Sequence, residues 1–300
     1  MTSLLQRIPL NHFPSEQLVA LRNVMRTRAY SRMTQAFQAA KTVLFDDDAR
    51  LVFFSDLHRG DSSRADAFAQ NEELFLGALR HYLERGFSYV EVGDGDELWQ
   101  NRRLGDVKRA HRRTFDLLHT FAAVGRLHLV FGNHDIQGFQ RRWMKKDGLT
   151  AHEGLVLKHA RNGQRIFVVH GHQVDFKSDA LYRLSRLIIR HVWRHVQNLG
   201  ITGVASSIGE SRNRETIRRR VSEWIEARKQ MVICGHTHTP KCAGPGEPPY
   251  FNTGSGVFDG YITGLEIQDG EIALVKWFRS EWGRAERWLL APPRPLSLAS

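Results

Sequence analysis

Carboxylate, amide and imidazole side chains recur in five short motifs, and these are the side-chain types that bind divalent metal ions. The motifs are, in chain order, Asp56-Leu57-His58, Gly93-Asp94, Gly132-Asn133-His134-Asp135, His170-Gly171-His172 and Gly235-His236-Thr237-His238. Mixed oxygen and nitrogen ligands suit Mn, Fe or Zn better than Mg or Ca. The motifs therefore predict a metal-dependent enzyme.

The spacing within the motifs predicts two adjacent metal ions. In an extended chain, residues i and i+2 point to the same side, so we expect Asp56 and His58 to converge on one point. The same spacing predicts that His236 and His238 converge. Asp94 lies in a turn, where its short carboxylate can bridge two cations that lie roughly 3.5–4 Å apart.

Each motif follows a short apolar run that is rich in β-branched and aromatic residues, which predicts a buried strand. These strands are predicted at residues 51–54, 89–92, 127–131, 166–169 and 231–234. Helical patterns lie between several of them, so we expect an α/β fold with a largely parallel sheet. The ligands would then meet at one edge of that sheet. Three later runs, at residues 250–254, 261–267 and 271–278, predict the strands of a second sheet.

Taken in order, the motifs resemble the D-x-H, G-D-x-x-D, G-N-H-D/E, H, G-H-x-H pattern of calcineurin-type metallophosphoesterases. The resemblance spans roughly residues 50 to 278 and implies a four-layer α/β/β/α sandwich with two divalent ions, for which Mn fits best and Fe or Zn are alternatives. It implies a first metal position formed by Asp56, His58 and His238, a second formed by Asn133, His170 and His236, and Asp94 as the bridge. It also implies that His134 faces the phosphoryl group as a catalytic acid, with Asp135 orienting its ring.

The second motif departs from the family pattern, because its closing acid is Glu97. The resulting Gly-Asp-x-x-Glu-x-Trp string resembles the branch that contains UDP-2,3-diacylglucosamine diphosphatases, although the best-known members of that branch carry Arg at the position of His134. This resemblance implies a nucleotide-diphosphate or lipid-linked substrate. The candidate substrate ligands are His172 and four arginines that follow metal motifs, Arg59, Arg64, Arg102 and Arg103.

The domain organisation is predicted from the regions around the motifs. Residues 1–48 are predicted as a basic helical extension, residues 49–290 as the metallophosphoesterase domain, and residues 291–300 as a loose tail. Within the domain, residues 176–230 are predicted as a helical insertion with a basic stripe of Arg183, Arg186, Arg190 and Arg194. Two interpretations remain open for this insertion: a lid over an amphiphilic substrate at an anionic membrane surface, or a solvated basic face.

Composition bounds the remaining alternatives. The 300 residues are 41% hydrophobic, carry a formal net charge of +11 and contain two cysteines, which form no disulfide framework. No apolar run reaches the ~18 residues of a membrane span. We therefore expect a cytoplasmic protein that is peripheral to the inner face of the membrane. The alternatives are a phosphodiesterase or nuclease, and a basic nucleic-acid-binding protein whose metal site is vestigial.

Overall fold

The computed structural model describes residues 15–101, 103–136, 143–175 and 207–296. The helices in these ranges are α1 (Ser15–Ala39), α2 (Glu72–Glu84), α3 (Leu104–Ala110), α4 (Arg112–Ala123) and α5 (Ser207–Arg228). The strands are β1 (Lys41–Phe45), β2 (Leu51–Phe54), β3 (Ser88–Val92), β4 (Leu127–Val130), β5 (Trp143–Lys146), β6 (Leu149–His152), β7 (Gly154–His159), β8 (Arg165–Val169), β9 (Met231–Cys234), β10 (Tyr250–Asn252), β11 (Tyr261–Gln268), β12 (Glu271–Arg279), β13 (Ala285–Leu289) and β14 (Arg294–Pro295).

The strands form two sheets. The large sheet has the order β13-β12-β11-β2-β3-β4-β6-β5, with β14 paired to β12, and its central strands β2, β3, β4 and β6 run parallel. The small sheet has the order β1-β7-β8-β9-β10 and is parallel except between β7 and β8. All five strands predicted to precede metal motifs are present, as β2, β3, β4, β8 and β9.

The two sheets pack face to face, with helices on both outer faces. Alternation along β2 shows the layers, because Phe53 lies in the core between the sheets while Val52 and Phe54 pack with α2 and α4. On the other side, α1 and α5 cover the small sheet through a core that includes Met33 and Trp224. This is the predicted four-layer α/β/β/α sandwich.

The C-terminal strands differ from the prediction. Only β10 joins the small sheet, whereas β11 pairs antiparallel with β2, placing Leu265 opposite Phe53, and β12 pairs with β11. The assignment of 261–267 and 271–278 to the second sheet was therefore wrong. The reason is that β2 would otherwise expose an unpaired edge, which β11 covers with backbone hydrogen bonds.

Parts of the predicted extension and tail pair with strands of the two sheets. The extension contributes β1, which pairs with β7, and the tail contributes β14 and the buried side chain of Leu296. Residues 207–228 of the predicted insertion form α5, which packs on α1 and the small sheet as part of the outer layer. The four arginines of the predicted basic stripe lie outside the described residues. Within the described ranges, no helix has the length and apolarity needed to cross a bilayer.

Candidate metal centre

The five motifs meet at one end of the sandwich, where strands of both sheets end. The large sheet contributes Asp56, Asp94 and Asn133 after β2, β3 and β4, and the small sheet contributes His170 and His236 after β8 and β9. The site therefore spans the two sheets. The expectation of a single sheet edge is corrected, because the sandwich brings the carboxyl ends of two sets of parallel strands together.

Left-handed backbone, rather than extended strand, aims the ligands. The φ angles are 52° at Asp56, 49° at His58, 50° at Asp94, 65° at His236 and 50° at His238. Positive φ is uncommon outside glycine, and such backbone strain clusters at functional sites. The convergence of Asp56 and His58 is thus produced by tight turns after the strand and not by the pleat of the strand. The expected convergence of His236 and His238 is corrected, because the turn sends His238 to the group of Asp56 and His236 to the group of Asp94.

The first ligand group consists of Asp56, His58 and His238, whose ligand atoms all lie within 4.8 Å of one another. His238 Nε2 lies 3.1 Å from Asp56 Oδ1 and 3.3 Å from His58 Nε2. These are the three residues that the resemblance assigned to the first metal position.

The second group consists of Asp94, His170 and His236, under the same 4.8 Å criterion. Asp94 Oδ2 lies 3.1 Å from His170 Nε2 in this group and 3.9 Å from His58 Nε2 in the first. One carboxylate therefore faces both groups, which is the position that a bridging ligand requires.

Buried polar atoms show that this residue set fits metal ions. Asn133 Oδ1 is buried without a hydrogen-bond partner within the described structure, and Asp56 Oδ1 and His170 Nε2 are buried with other candidate ligands, His238 Nε2 and Asp94 Oδ2, 3.1 Å away. A buried polar atom without a partner costs free energy, so native structures rarely leave one unless a ligand satisfies it. These three atoms on three converging motifs, all of metal-ligand type, fit a dinuclear centre that includes Asn133.

The electrostatics of the metal-free site agree with this fit. Burial opposes ionisation of Asp56, but the nearby His238 and His170 outweigh it and hold the pKa of Asp56 well below its usual range. Burial likewise opposes protonation of His58 and His170, yet the surrounding carboxylates raise the pKa of each to about 9. The carboxylates thus favour the protonated, positively charged histidines at the positions where metal cations are expected to bind.

Glu97, and not Asp135, holds the ring of His134. Glu97 Oε2 lies 2.8 Å from His134 Nδ1 and 3.0 Å from His58 Nδ1. The Trp99 ring stacks on the His134 ring at a centroid distance of 4.1 Å. One carboxylate therefore orients both a metal ligand and the predicted catalytic acid. The signal in the sequence was the acid that closes the Gly-Asp-x-x-Glu string.

The Asp135 carboxylate instead accepts hydrogen bonds from the backbone of the motif loops. It accepts them from the backbone N–H groups of Gly132, at 2.8 Å, and Asp96, at 2.9 Å. Lys146 Nζ donates to it from 3.2 Å. The orienting role predicted for Asp135 is therefore corrected, because its side chain ties two motif loops together.

Arg59 is also not available to a substrate. Its side chain is fully buried, donates two hydrogen bonds to Glu91 at 2.8 and 2.9 Å, and donates one to Asp96 at 2.7 Å. Lys146 Nζ lies 2.8 Å from both acids and completes a buried charge network. The substrate-binding prediction for Arg59 is wrong, because the acids at positions 91 and 96 hold the guanidinium inside.

The remaining substrate candidates have different surroundings. Arg64 and Arg103 are exposed, while Arg102 lies outside the described residues. His172 is buried beside the second group, with its ring 5.5 Å from that of His170. Burial, reinforced by the charges of His170 and His236, holds the pKa of His172 well below its usual value.

Asp175 contacts the second group and was missed in the sequence. Its Oδ2 lies 3.1 Å from His236 Nε2 and accepts a hydrogen bond from Asn213 Nδ2 of α5 at 3.3 Å. Arg220 of α5 donates to the carbonyl of Val174 beside it. Helix α5 is therefore connected to a metal ligand through one carboxylate. The signal was an acid three residues after His172.

Comparison with known protein families agrees with the geometry. The model of the calcineurin-like phosphoesterase superfamily domain matches residues 50–260. The chain belongs to this superfamily. Members typically hydrolyse phosphate esters and generally bind two divalent metal ions, and the ligand groups described above lie within the matched region. No curated protein sequence matches the chain.

Several solved structures are similar to the chain. A single mutant of Vps29 from Entamoeba histolytica is 17% identical, with a TM-score of 0.38 over 81% of this chain and 99% of its own. Vps29 from Cryptosporidium parvum is 10% identical, with a TM-score of 0.41 over 82% and 98%. A cold-active protein-tyrosine phosphatase from a psychrophilic Shewanella species is 14% identical, with a TM-score of 0.35 over 84% and 82%.

Proposed function

We propose that the chain hydrolyses phosphoester or phosphoanhydride bonds with a dinuclear centre, most fittingly of two Mn ions. The observation that carries this proposal is the pair of ligand groups that Asp94 faces, together with the buried Asn133 Oδ1, which has no hydrogen-bond partner in the described residues. A structural site closes the coordination sphere of one ion with protein ligands, whereas two adjacent ions with shared ligands are typical of phosphoryl-transfer enzymes.

The metal ions and the residues around them would have separate roles in this reaction. Divalent ions at the two positions would supply Lewis acidity toward phosphoryl oxygens and lower the pKa of water. His134 is suited to donate a proton to the leaving oxygen, because Glu97 engages its Nδ1 and leaves Nε2 for the substrate. Asp94 Oδ1 accepts the backbone N–H of His134 at 2.8 Å, which fixes this acid relative to the bridge.

For the substrate, we propose a nucleotide-diphosphate or lipid-linked phosphoanhydride. The support is the Gly93-Asp94-x-x-Glu97-x-Trp99 string, whose Glu97 and Trp99 both contact His134. Arg64 and Arg103, both exposed, remain candidates for a second phosphate group.

A hydrolysis screen with added Mn tests the function. The substrates are UDP-diacylglucosamine, simple nucleotide diphosphates, phosphodiesters including single-stranded oligonucleotides, and phosphopeptides, each with the wild-type chain and the His134→Asn control. We expect metal-dependent turnover of an anhydride that the control largely loses. Preference for oligonucleotides would instead make the chain a nuclease. Salt-sensitive nucleic-acid binding without metal-stimulated hydrolysis of any substrate would contradict the proposal.

A further inference from the structure

Exposed large apolar side chains are concentrated in one short segment. Eight are exposed in the described residues, and four of them lie between residues 282 and 290. Their exposed fractions are 86% for Trp282, 60% for Trp288, 49% for Leu289 and 45% for Leu290. Single exposed apolar residues are normal, but four within nine residues of one sheet edge point to a surface that contacts something other than water.

The segment forms a projecting rim of the fold. Trp282 occupies the turn between β12 and β13, which is closed by hydrogen bonds from Gly283 N to the Ser280 carbonyl and from Ser280 N to the Arg284 carbonyl, both 2.8 Å. Strand β13 is the outermost strand on its side of the large sheet. We call residues 280–290 the aromatic edge.

The aromatic edge lies at the same end of the sandwich as the metal ligands. Strand β11 runs antiparallel to β2, so its first residue, Tyr261, lies level with the chain just after β2, where Asp56 follows. Phe278 pairs with Tyr261, and the turn with Trp282 comes next along the chain. A surface that binds the aromatic edge therefore faces the end of the molecule that carries the site.

The chemistry of the edge favours a lipid surface. Tryptophan and leucine beside arginine and lysine is the composition of interfacial membrane contacts. Arg279 and Arg284 flank Trp282, and both are exposed. Glu281 and Glu286 offset these two arginines, Lys276 adds a positive charge nearby, Arg287 is paired with Glu266, and the chain as a whole carries +11. This balance favours an anionic bilayer over a neutral one.

Stacking of nucleic-acid bases is less favoured by the geometry. The ring of Tyr261 is covered by Phe258, at a centroid distance of 4.7 Å and an interplanar angle of 17°, and by Lys276 Nζ at 4.1 Å from the ring centroid. That ring therefore offers no free face to a base. Two of the four exposed apolar side chains of the aromatic edge, Leu289 and Leu290, have no aromatic ring to stack.

We propose that the aromatic edge is a membrane-contact surface, in which Trp282, Trp288 and Leu290 enter the interfacial layer of an anionic bilayer. Burial of an apolar side chain changes a partition coefficient by about tenfold or more, and each nearby arginine changes it by about fivefold. In conjunction with the proposed function, and resting on it, this contact would present the metal centre to a lipid-linked phosphate.

Vesicle sedimentation tests the membrane contact. The full chain is mixed with vesicles of equal phosphatidylglycerol and phosphatidylcholine, and with pure phosphatidylcholine. We expect binding to the anionic vesicles that falls with salt and weakens at least about tenfold in Trp282→Ser/Leu290→Ser. The matched control is Leu44→Ser, because Leu44 is 68% exposed on β1, away from this edge. Circular dichroism establishes that each variant is folded.

Four outcomes would overturn the proposal. They are no binding of the wild-type chain to anionic vesicles, equal loss in the Leu44→Ser control, a larger effect of the double variant on oligonucleotide binding than on vesicle binding, and a dimer that the double variant dissociates. Turnover of a soluble phosphoester should be the same in the double variant and the wild-type chain. Failure of the membrane proposal is thereby separated from failure of the proposed function.

Discussion

Two groups of polar and charged side chains lie side by side in this molecule. One is the metal-ligand wall, formed by Asp56, His58, Asp94, Asn133, His170, His236 and His238, and the other is the charge network of Arg59, Lys146, Glu91, Asp96 and Asp135. In the network, Arg59 and Lys146 engage Glu91, Asp96 and Asp135 at 2.7–3.2 Å. In the wall, the charged partners of Asp56 and Asp94 are imidazoles, with His238 Nε2 3.1 Å from Asp56 Oδ1 and His170 Nε2 3.1 Å from Asp94 Oδ2, and Asn133 Oδ1 has no hydrogen-bond partner in the described residues. Both groups contain buried carboxylates, so the kind of cation separates scaffold from ligand site: Arg59 and Lys146 are permanently charged, whereas the imidazoles of the wall carry charge only when protonated.

This difference shows how the loops that carry the metal ligands are held in place. Charges in the network are neutralised within the protein, and burial of Lys146 is overcome by three acids that raise its pKa. The network also binds the backbone of the loops that carry Asp94 and Asn133, through Asp135. A scaffold that is neutralised by its own Arg and Lys side chains can therefore hold the metal-ligand wall in place, which is the arrangement expected where binding must be preorganised.

The largest expected effect is on turnover. His134→Asn should lower the rate of hydrolysis by roughly 10²–10⁴-fold, the usual contribution of a general acid, while metal content hardly changes. His236→Asn should lose metal, because it removes a wall ligand. Steady-state kinetics and elemental analysis of both variants check this prediction. If both lose metal to the same extent, the separation of acid from ligand is wrong.

The next effect is on stability and concerns the network. Arg59→Leu leaves Glu91 and Asp96 buried with Lys146 alone, so it should lower the free energy of unfolding by about 3–5 kcal/mol. Urea denaturation of the metal-free chain measures this change. The control is the exposed Arg64→Leu, which should stay within about 0.5 kcal/mol. A loss for Arg59→Leu no larger than that of the control would remove the distinction between network and surface.

Asp175 tests the contact between the wall and α5. Asp175→Asn should weaken binding at the second metal position by about 10- to 100-fold, the usual cost of losing the carboxylate partner of a metal-ligating histidine. Asn213→Ala, one contact further away, should have a smaller effect in the same direction. Calorimetric titration with Mn resolves the two affinities. Equal affinities in the wild-type chain and Asp175→Asn would show that this carboxylate does not support the ligand.

The last expected effect is a pH dependence of the free energy of unfolding, which arises outside the site. Burial opposes protonation of His111, but hydrogen bonds to Asp66 and Glu72 raise its pKa to about 9. A pKa raised in the folded state adds stability below the unfolded value near 6.5, and that stability is lost as pH rises through 9. The wild-type chain should therefore lose up to about 3 kcal/mol more stability than His111→Asn between pH 6.5 and 9.5. Denaturation with a chelator present measures this difference, and parallel curves would contradict it.

The sequence predicted more of the site than of the order in which the strands pair. Strand β2 occupies residues 51–54 as predicted, because its apolar run has few alternatives locally. The placement of β11 beside β2 was not predictable from its own residues, since pairing depends on which edges the rest of the fold leaves open.

Within the site, residue type predicted convergence but not partners. Asp135 adjoins His134 in sequence, yet its carboxylate turns to the loop backbone, and Glu97 from another loop takes the ring. Arg59 follows His58, yet Glu91 and Asp96 hold it inside. These contacts are decided by which charges the fold buries together, and a linear motif carries no such information.

The most direct test of the central claim is the number of metal ions bound. The chelator-treated wild-type chain is titrated with Mn and the content per chain is measured by elemental analysis, in parallel with Asp94→Asn and the exposed control Asp116→Asn. Two ions per chain are predicted for the wild-type chain and for the control. Asp94→Asn should lose most of both, because the shared carboxylate offsets the repulsion between them. A wild-type chain that binds one ion or none, or full occupancy in Asp94→Asn, would contradict a dinuclear centre bridged by Asp94.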